Sequence, residues 1–454
     1  MGFADEHLIP LVDAGLGNSA YLVDLGDGRA LAVDASRDLR ALRAAAAKRG
    51  LTVAFAADTH LHADFLTGAL QLAADDGATV LASAAGHRAF PHTPLVDGDE
   101  VDLGGLALRA LATPGHTDEH VSFLLLDGAR ELGVFTGGSL IAGSAARTDL
   151  QGADRAEELA RAQYRSLRRL VALPDATAVW PTHGAGSFCS APPGSERTTT
   201  IGAQKRANDL LAAPDEDTFV RSLLGSLGSY PAYFDRLGEI NRRGPALLST
   251  TPGLRPLTAA AVRGLLADGA YVVDARPVAE FAAGHIPGAV SNPLRPAFAT
   301  WLGWLLPPDV PLVLVLGRGQ DGAELAWQAA KIGYDRLAGQ LAGGMDAWHA
   351  DGGPVESIEL VTAEKIGTRP VLDVRQDTEF TSGHIPGAAH RELGDLVADG
   401  QEVGDGVVVM CGHGERAMTA ASLLAARGAR DLAVLVGGAQ DWAAATGRRL
   451  EDGR

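Results

Sequence analysis

Up to residue 180 the chain alternates short apolar runs with polar loops. Apolar runs at 21–25 and 30–35 flank Gly26-Asp27-Gly28, a turn signal that predicts a hairpin. A helix pattern over 38–49 is stopped by Gly50. A strand over 52–57 delivers Asp58-Thr59-His60-Leu61-His62-Ala63-Asp64-Phe65, and a helix is expected at about 66–75. Strands follow at 79–83, 106–112, 121–127 and 132–136, then a helix at about 155–173 and a strand at 176–180. Polar residues recur where strands end, in Pro114-Gly115-His116-Thr117 and Pro181-Thr182-His183-Gly184. This alternation predicts a layered α/β domain with its chemistry along one sheet edge.

Residues 190–200, rich in Pro, Ser and Thr, predict a loop; helical segments run on to about 243, and 244–256 has linker composition. Beyond it the pattern repeats. Asp274-Ala275-Arg276, Glu280-Phe281 and Gly284-His285-Ile286-Pro287-Gly288-Ala289 recur as Asp373-Val374-Arg375, Glu379-Phe380 and Gly383-His384-Ile385-Pro386-Gly387-Ala388, at an offset of 99. Gly343-Gly344 … Trp348 recurs as Gly437-Gly438 … Trp442 at an offset of 94, so the first copy holds about five extra residues, placed within 292–308. Each copy has the size of one small domain. The expected domains are 1–250, 257–353 and 357–454.

Composition narrows the functions. With 39 Lys+Arg against 56 Asp+Glu the formal charge is −17, which argues against a nucleic-acid backbone as partner. No apolar run is long enough to span a membrane. The start, Met-Gly-Phe-Ala-Asp-Glu-His, lacks the basic-then-apolar pattern of a secretory signal, and the only cysteines are Cys189 and Cys411. A reducing cytoplasm is the expected location. A homodimer is left open.

His60 and His62 sit two apart at the mouth of a strand, where both imidazoles can aim at one point. With Asp64, His116 and His183 they make an ordered set at strand ends, and imidazole suits Zn²⁺ and Fe²⁺. This set resembles the metallo-β-lactamase superfamily, in particular its persulfide dioxygenase and glyoxalase II branch, over about residues 5–245. The resemblance implies an αββα sandwich. It also implies a first metal site of His60, His62 and His116, and a second that takes Asp64 and His183. Two departures stand out: Phe65 replaces the last His of the first motif, and Gly138 stands where a bridging Asp is expected. One ion, Fe²⁺ or alternatively Zn²⁺, weakly held, is therefore expected at the first site. His120 and Asp34 are expected to support the ligands from behind. Cys189 has the context of a packing thiol.

A buried-strand pattern at 407–410 runs into Cys411-Gly412-His413-Gly414-Glu415-Arg416 and then a helix over 417–427. A Cys at such a turn faces backbone N–H groups and a helix dipole, which favour thiolate, and Arg416 adds positive charge. The loop is a nest for a persulfide sulfur or an oxyanion. With the paired Asp-x-Arg and Gly-His-Ile-Pro-Gly-Ala blocks, it resembles the rhodanese family over 257–450, implying two α/β domains with a five-stranded parallel sheet each. The first copy carries Gly317 at the Cys position and is expected to be silent.

The resemblances together imply an enzyme of reduced-sulfur metabolism. Its partners would be a low-molecular-weight thiol persulfide such as that of glutathione, and thiosulfate or sulfite. Two alternatives remain: a silent metal domain with all chemistry at Cys411, and a mononuclear zinc thioester hydrolase of the glyoxalase II type.

Overall fold

A computed structural model describes residues 3–190, 196–398 and 404–453; residues 191–195 of the expected loop lie outside the described residues. Two compact units emerge: Met1–Thr251 with Ala330–Gly333, and Pro252–Ala329 with Tyr334–Arg454.

The first unit contains two six-stranded sheets. One runs edge to edge in chain order through Leu8–Asp13, Asn18–Asp24, Arg29–Val33, Thr52–Asp58, Thr79–Ser83 and Thr93–Leu95. The other runs through Glu100–Asp102, Ala107–Ala112, Val121–Asp127, Arg130–Gly137, Ala178–Pro181 and Thr199–Thr200. The expected hairpin forms, with Tyr21 opposite Val33 and Asp24 opposite Ala30. Alternation along each strand then separates two cores. Tyr21, Val23, Leu31 and Val33 join Leu108, Ala110, Phe123, Leu125 and Phe135 between the sheets. Leu22, Ala30 and Ala32 face the other way, onto Leu42 and Ala46 of the helix Arg40–Arg49 and Leu72 of the helix Ala69–Asp76. Leu124, Leu126 and Val134 meet Ala160, Leu167 and Leu170 of the helix Ala156–Leu170. The layers are helix, sheet, sheet, helix, as expected. Each fully buried Leu or Phe contributes roughly 1.5–3 kcal/mol.

The sequence pattern did not reveal the strands Leu8–Asp13 and Thr93–Leu95. Both are sheet edges, and each contains a proline, Pro10 or Pro94, a residue confined to edges because it cannot donate to the ladder.

The second unit carries two five-stranded parallel sheets with one topology. The first orders its strands Pro256–Leu257, Leu337–Leu341, Leu312–Val315, Tyr271–Asp274, Val290–Ser291. The second orders them Glu359–Val361, Ala433–Leu435, Val408–Met410, Val371–Asp373, Ala389–His390. The repeated blocks have a structural cause. Arg276 pairs with Asp274 at 2.6 Å and donates to Gly284 O at 2.7 Å; Arg375 does the same with Asp373 and Gly383 O at 2.7 and 2.8 Å. His285 stacks on Phe281 and His384 on Phe380, with ring centroids 3.9 and 3.8 Å apart. The longer first copy builds an eight-residue helix, Phe298–Leu305, with Trp301 and Trp304 stacked on it. Trp304 lies against Gly394 of the second copy, where a Cβ would come within 2.3 Å of its Nε1. Among the described residues no helix is long and apolar enough to cross a membrane.

Candidate metal centre and sulfur-transfer loop

Loops at one edge of the sandwich bring the histidines together. His60, His62 and Asp64 follow the strand Thr52–Asp58, His116 and His120 precede the strand Val121–Asp127, and His183 follows Ala178–Pro181. The two sheets are tied at this edge by Ser19 N donating to Thr182 O at 2.8 Å. All six side chains are buried. Donor atoms of His60, His116 and His183 lie within 4.8 Å of one another, and so do those of His62, Asp64 and His183. His183 therefore belongs to both groups. The sequence expectation had separated it from His60 and His116; the geometry places its Nε2 3.3 Å from His60 Nε2.

The outward nitrogens of these rings are engaged, which fixes the inward ones as acceptors. His60 Nδ1 bonds to Thr59 Oγ1 at 2.9 Å, and that hydroxyl donates to Asp34 Oδ2 at 2.8 Å. His116 Nδ1 donates to Arg147 O at 2.7 Å, and His183 Nδ1 to Asn18 Oδ1 at 2.9 Å. His62 donates from Nε2 to Asp34 Oδ1 at 3.2 Å, leaving Nδ1 inward. His116 Nε2, His62 Nδ1 and Asp64 Oδ1 are buried with no hydrogen-bond partner. Burial, then the neighbouring imidazoles, push His116 and His183 down to about 3 and hold His60 well below the usual range, so all three are neutral. Neutral, convergent and unpartnered imidazole nitrogens backed by hydrogen-bonded groups are what a divalent cation requires, so the donor set fits a metal ion.

Asp34 organises this edge. Its φ of 51° is left-handed, uncommon for a non-glycine residue. Its carboxylate accepts from Thr59 N at 2.7 Å, from the Thr59 and Thr182 hydroxyls and from His62. Burial works against its charge, but His62 and these hydrogen bonds outweigh it and hold the carboxyl at about 2. His120 is not among the grouped donors. It stacks on His60 with centroids 5.1 Å apart and accepts from Gly138 N at 3.0 Å, so it supports the centre from behind.

The two departures in the motif also acquire a physical form. Phe65 is buried and stacks on His62, with centroids 4.2 Å apart. A Cβ at Gly138 would lie 2.4 Å from His116 Cδ2. The carboxylate expected at 138 is thus excluded by the position of the His116 ring. Cys189 is fully buried, and burial pushes its thiol well above the usual range, which suits a packing role.

In the second unit, Cys411 ends the strand Val408–Met410 and opens onto the helix Glu415–Ala426. Its Sγ accepts from Gly414 N at 3.1 Å. Gly414 takes φ 107°, which lets the loop wrap the sulfur. His413 is exposed, and Gly412 and Glu415 are half-buried. Arg416, expected to add positive charge to the loop, is bound to Glu379 at 2.6 and 2.8 Å. Glu379 recurs in both repeats, and its role became clear only from this contact. In the silent copy Gly317 replaces the Cys, and Gly322 replaces the Arg at the same offset. The Glu280 carboxylate there lies 3.2 Å from where a Cβ at 317 would be, and a cleft of about 730 Å³ remains.

The fold and these two centres define the class. The rhodanese-like domain model matches residues 258–351 and 359–445. The chain resembles a solved metallo-beta-lactamase from Staphylococcus aureus, with a TM-score of 0.65 and 29% identity over 73% of this chain and 98% of that one. This chain is therefore a metallo-β-lactamase-fold domain fused to two rhodanese-like domains. Its first domain is homologous to glyoxalase II and to persulfide dioxygenase. It is 37% identical over 172 residues to the hydroxyacylglutathione hydrolase of Methylococcus capsulatus, covering 37% of this chain and 62% of that protein. It is 32% identical over 152 residues to the human mitochondrial persulfide dioxygenase ETHE1, covering 33% of this chain and 56% of that protein. The chain thus spans little more than half the length of these curated relatives.

Proposed function

We propose that the protein is an enzyme of reduced-sulfur metabolism that joins sulfur transfer at Cys411 to persulfide oxidation at the histidine centre. The observation that carries the first half is the Cys411 sulfur at a helix N-terminus, where it accepts from Gly414 N–H at 3.1 Å in a loop shaped to hold a persulfide sulfur or an oxyanion. The thiolate attacks the outer sulfur of thiosulfate, the S–S bond breaks, and its electron pair leaves with sulfite. Cys411 then carries the sulfane sulfur as a persulfide, which an acceptor thiolate or sulfite removes by the reverse kind of step.

The second half rests on the convergent donors. His60, His116 and His183 would hold one ion, with the inward Nδ1 of His62 and Oδ1 of Asp64 flanking it. When bound, Fe²⁺ would supply O₂ chemistry on a thiol persulfide; Zn²⁺ would supply activated water for a thioester. The chain's own part is to keep the imidazoles neutral through their hydrogen-bonded outer nitrogens and to keep Asp34 charged behind them. Linking the two centres raises the effective concentration of the sulfur species they share.

The test is metal analysis of protein purified without oxygen, together with O₂ uptake on a glutathione persulfide and thiosulfate:cyanide transfer. Iron with persulfide-dependent O₂ uptake supports the reading. Zinc with thioester hydrolysis and no O₂ uptake would replace the metal half. No sulfur transfer by the wild-type protein would remove the Cys411 half.

A further inference from the structure

The segment that distinguishes the silent repeat from the active one begins just after the strand Val290–Ser291. That strand packs on the helix following Cys411, and Ser291 N donates to Ser422 Oγ on that helix at 3.0 Å. The next residues are Asn292-Pro293-Leu294-Arg295-Pro296. Two prolines bracket Arg295 and restrict the backbone on both sides. Leu294 N bonds to Ala275 O at 2.9 Å, Phe298 N to Arg295 O at 2.9 Å, and Asn292 Nδ2 to Phe298 O at 3.1 Å. The loop that carries Arg295 is therefore fixed in place, and Trp304 against Gly394 anchors the helix that follows it.

The charges of Glu415, Arg416 and Cys411 of the active repeat all act on the Arg295 guanidinium. Its Nε is buried and has no hydrogen-bond partner, and among the described residues no carboxylate is in ion-pair contact with it. Burial lowers its pKa, Glu415 and Cys411 work the other way, and Arg416 adds repulsion. A partly desolvated cation beside a second arginine is costly unless an anion joins them. Arg416 is already matched by Glu379, so it adds little net charge for a substrate. Arg295 is the cation left over.

We propose that Arg295, supplied by the silent repeat, is the anion-binding group of the Cys411 pocket and selects dianionic sulfur donors of the thiosulfate class. This rests on the sulfurtransferase reading of Cys411. In the transfer step the Cys411 thiolate takes the outer sulfur, the S–S bond breaks, and Arg295 holds the sulfonate oxygens that depart as sulfite. A planar guanidinium suits two such oxygens at once. The silent repeat would then be retained for this contact and not for chemistry of its own.

The experiment compares wild type with Arg295→Met and Arg295→Lys. Steady-state transfer from thiosulfate to cyanide should show KM raised about tenfold or more in Arg295→Met, with partial recovery in Arg295→Lys. The kcat/KM for a monoanionic thiol persulfide should change far less. A second readout needs no turnover: thiosulfate should slow iodoacetamide alkylation of Cys411 in wild type and not in Arg295→Met. Thiosulfate KM within twofold of wild type in a folded Arg295→Met, with protection intact, would overturn the proposal. If wild type forms no persulfide on Cys411, the sulfurtransferase reading fails separately, and the alkylation arm still decides whether Arg295 binds the anion.

Discussion

His60 Nε2 and His183 Nε2 lie 3.3 Å apart although neither can donate to the other once their Nδ1 atoms are engaged. Two lone pairs at that separation repel unless a cation lies between them. Two nitrogens bound at about 2.0–2.1 Å to one tetrahedral ion stand at about this distance. The pair joins a residue from the first histidine motif to one that the motif pattern assigns to a second, degraded site.

A direct test follows from that shared histidine. His60→Ala, His116→Ala and His183→Ala should each reduce bound metal by about tenfold or more in affinity, measured by elemental analysis after dialysis. If His183→Ala keeps a full metal equivalent while His116→Ala loses it, His183 is not a ligand and the two-site division returns.

Gly138→Asp is the substitution that the motif comparison recommends, since it restores the missing carboxylate. The structure reverses the expected sign. The new Cβ would meet the His116 ring at 2.4 Å and the Ala146 Cβ at 3.1 Å, so the ring must move away from its partners. Metal affinity should fall, and Gly138→Ala should show most of the same loss because the clash is at Cβ. Tighter binding in Gly138→Asp would mean that His116 swings aside without cost.

Asp34 gives a third case. It accepts from His62 Nε2–H in a fully buried contact and receives two threonine hydroxyls. Removing this acceptor leaves the buried His62 N–H and both hydroxyls unsatisfied, at a cost of about 1–3 kcal/mol for each group. Asp34→Ala should lower the melting temperature of the first unit and release bound metal together, as read by calorimetry and elemental analysis. Asp34→Asn, which keeps the shape and tolerates a positive φ, should lose less stability. Equal losses in the two variants would assign the effect to the charge and not to the shape and hydrogen bonds that Asn keeps.

Much of this is legible in the sequence, and the gaps have physical causes. Strand alternation predicts a layered α/β domain because inward and outward residues such as Tyr21 and Leu22 differ in what they touch, and the offset repeats predict two small tandem domains; the sandwich and the parallel sheets are what the family resemblances imply. The partition of His183 was not legible, because chain order carries no information about which strand-end loops meet. Glu379 was visible as a repeated residue, but its role needed the contact with Arg416. Arg295 left no signal, since it lies in the segment that the two repeats do not share and acts on a loop more than a hundred residues away.

Cys411→Ser should abolish thiosulfate:cyanide transfer, since a hydroxyl cannot form a persulfide. Moving the nucleophile into the silent copy should not restore it. In a Cys411→Ser, Gly317→Cys double variant the new thiol would face the Glu280 carboxylate, with Gly322 where the arginine belongs. A carboxylate beside a thiol disfavours the thiolate. Transfer above background in the double variant would show that the silent loop lacks only its sulfur.

The pair between Glu379 and Arg416 predicts a pH dependence whose sign is fixed by the carboxylate. Burial opposes the charge on Glu379, but the hydrogen bonds and charge of Arg416 outweigh it and hold the carboxyl below its ordinary range. A depressed folded-state pKa contributes stability that is fully present above the unfolded value, about 4.3, and is lost as pH falls through the folded value. The pair is partly exposed, with side chains 18% and 39% accessible, so its contribution is modest and weakened by salt. Glu379→Gln keeps an acceptor for Gln376 N, which bonds to Glu379 Oε2 at 3.1 Å, and removes only the charge. The variant should therefore melt a few degrees below wild type at neutral pH. The difference should hold down to about pH 5 and close below about pH 4, where wild type loses its own carboxylate. Thermal unfolding of both proteins across that range is the measurement. A gap that persists unchanged into strong acid would assign the effect of Glu379 to packing and not to its charge.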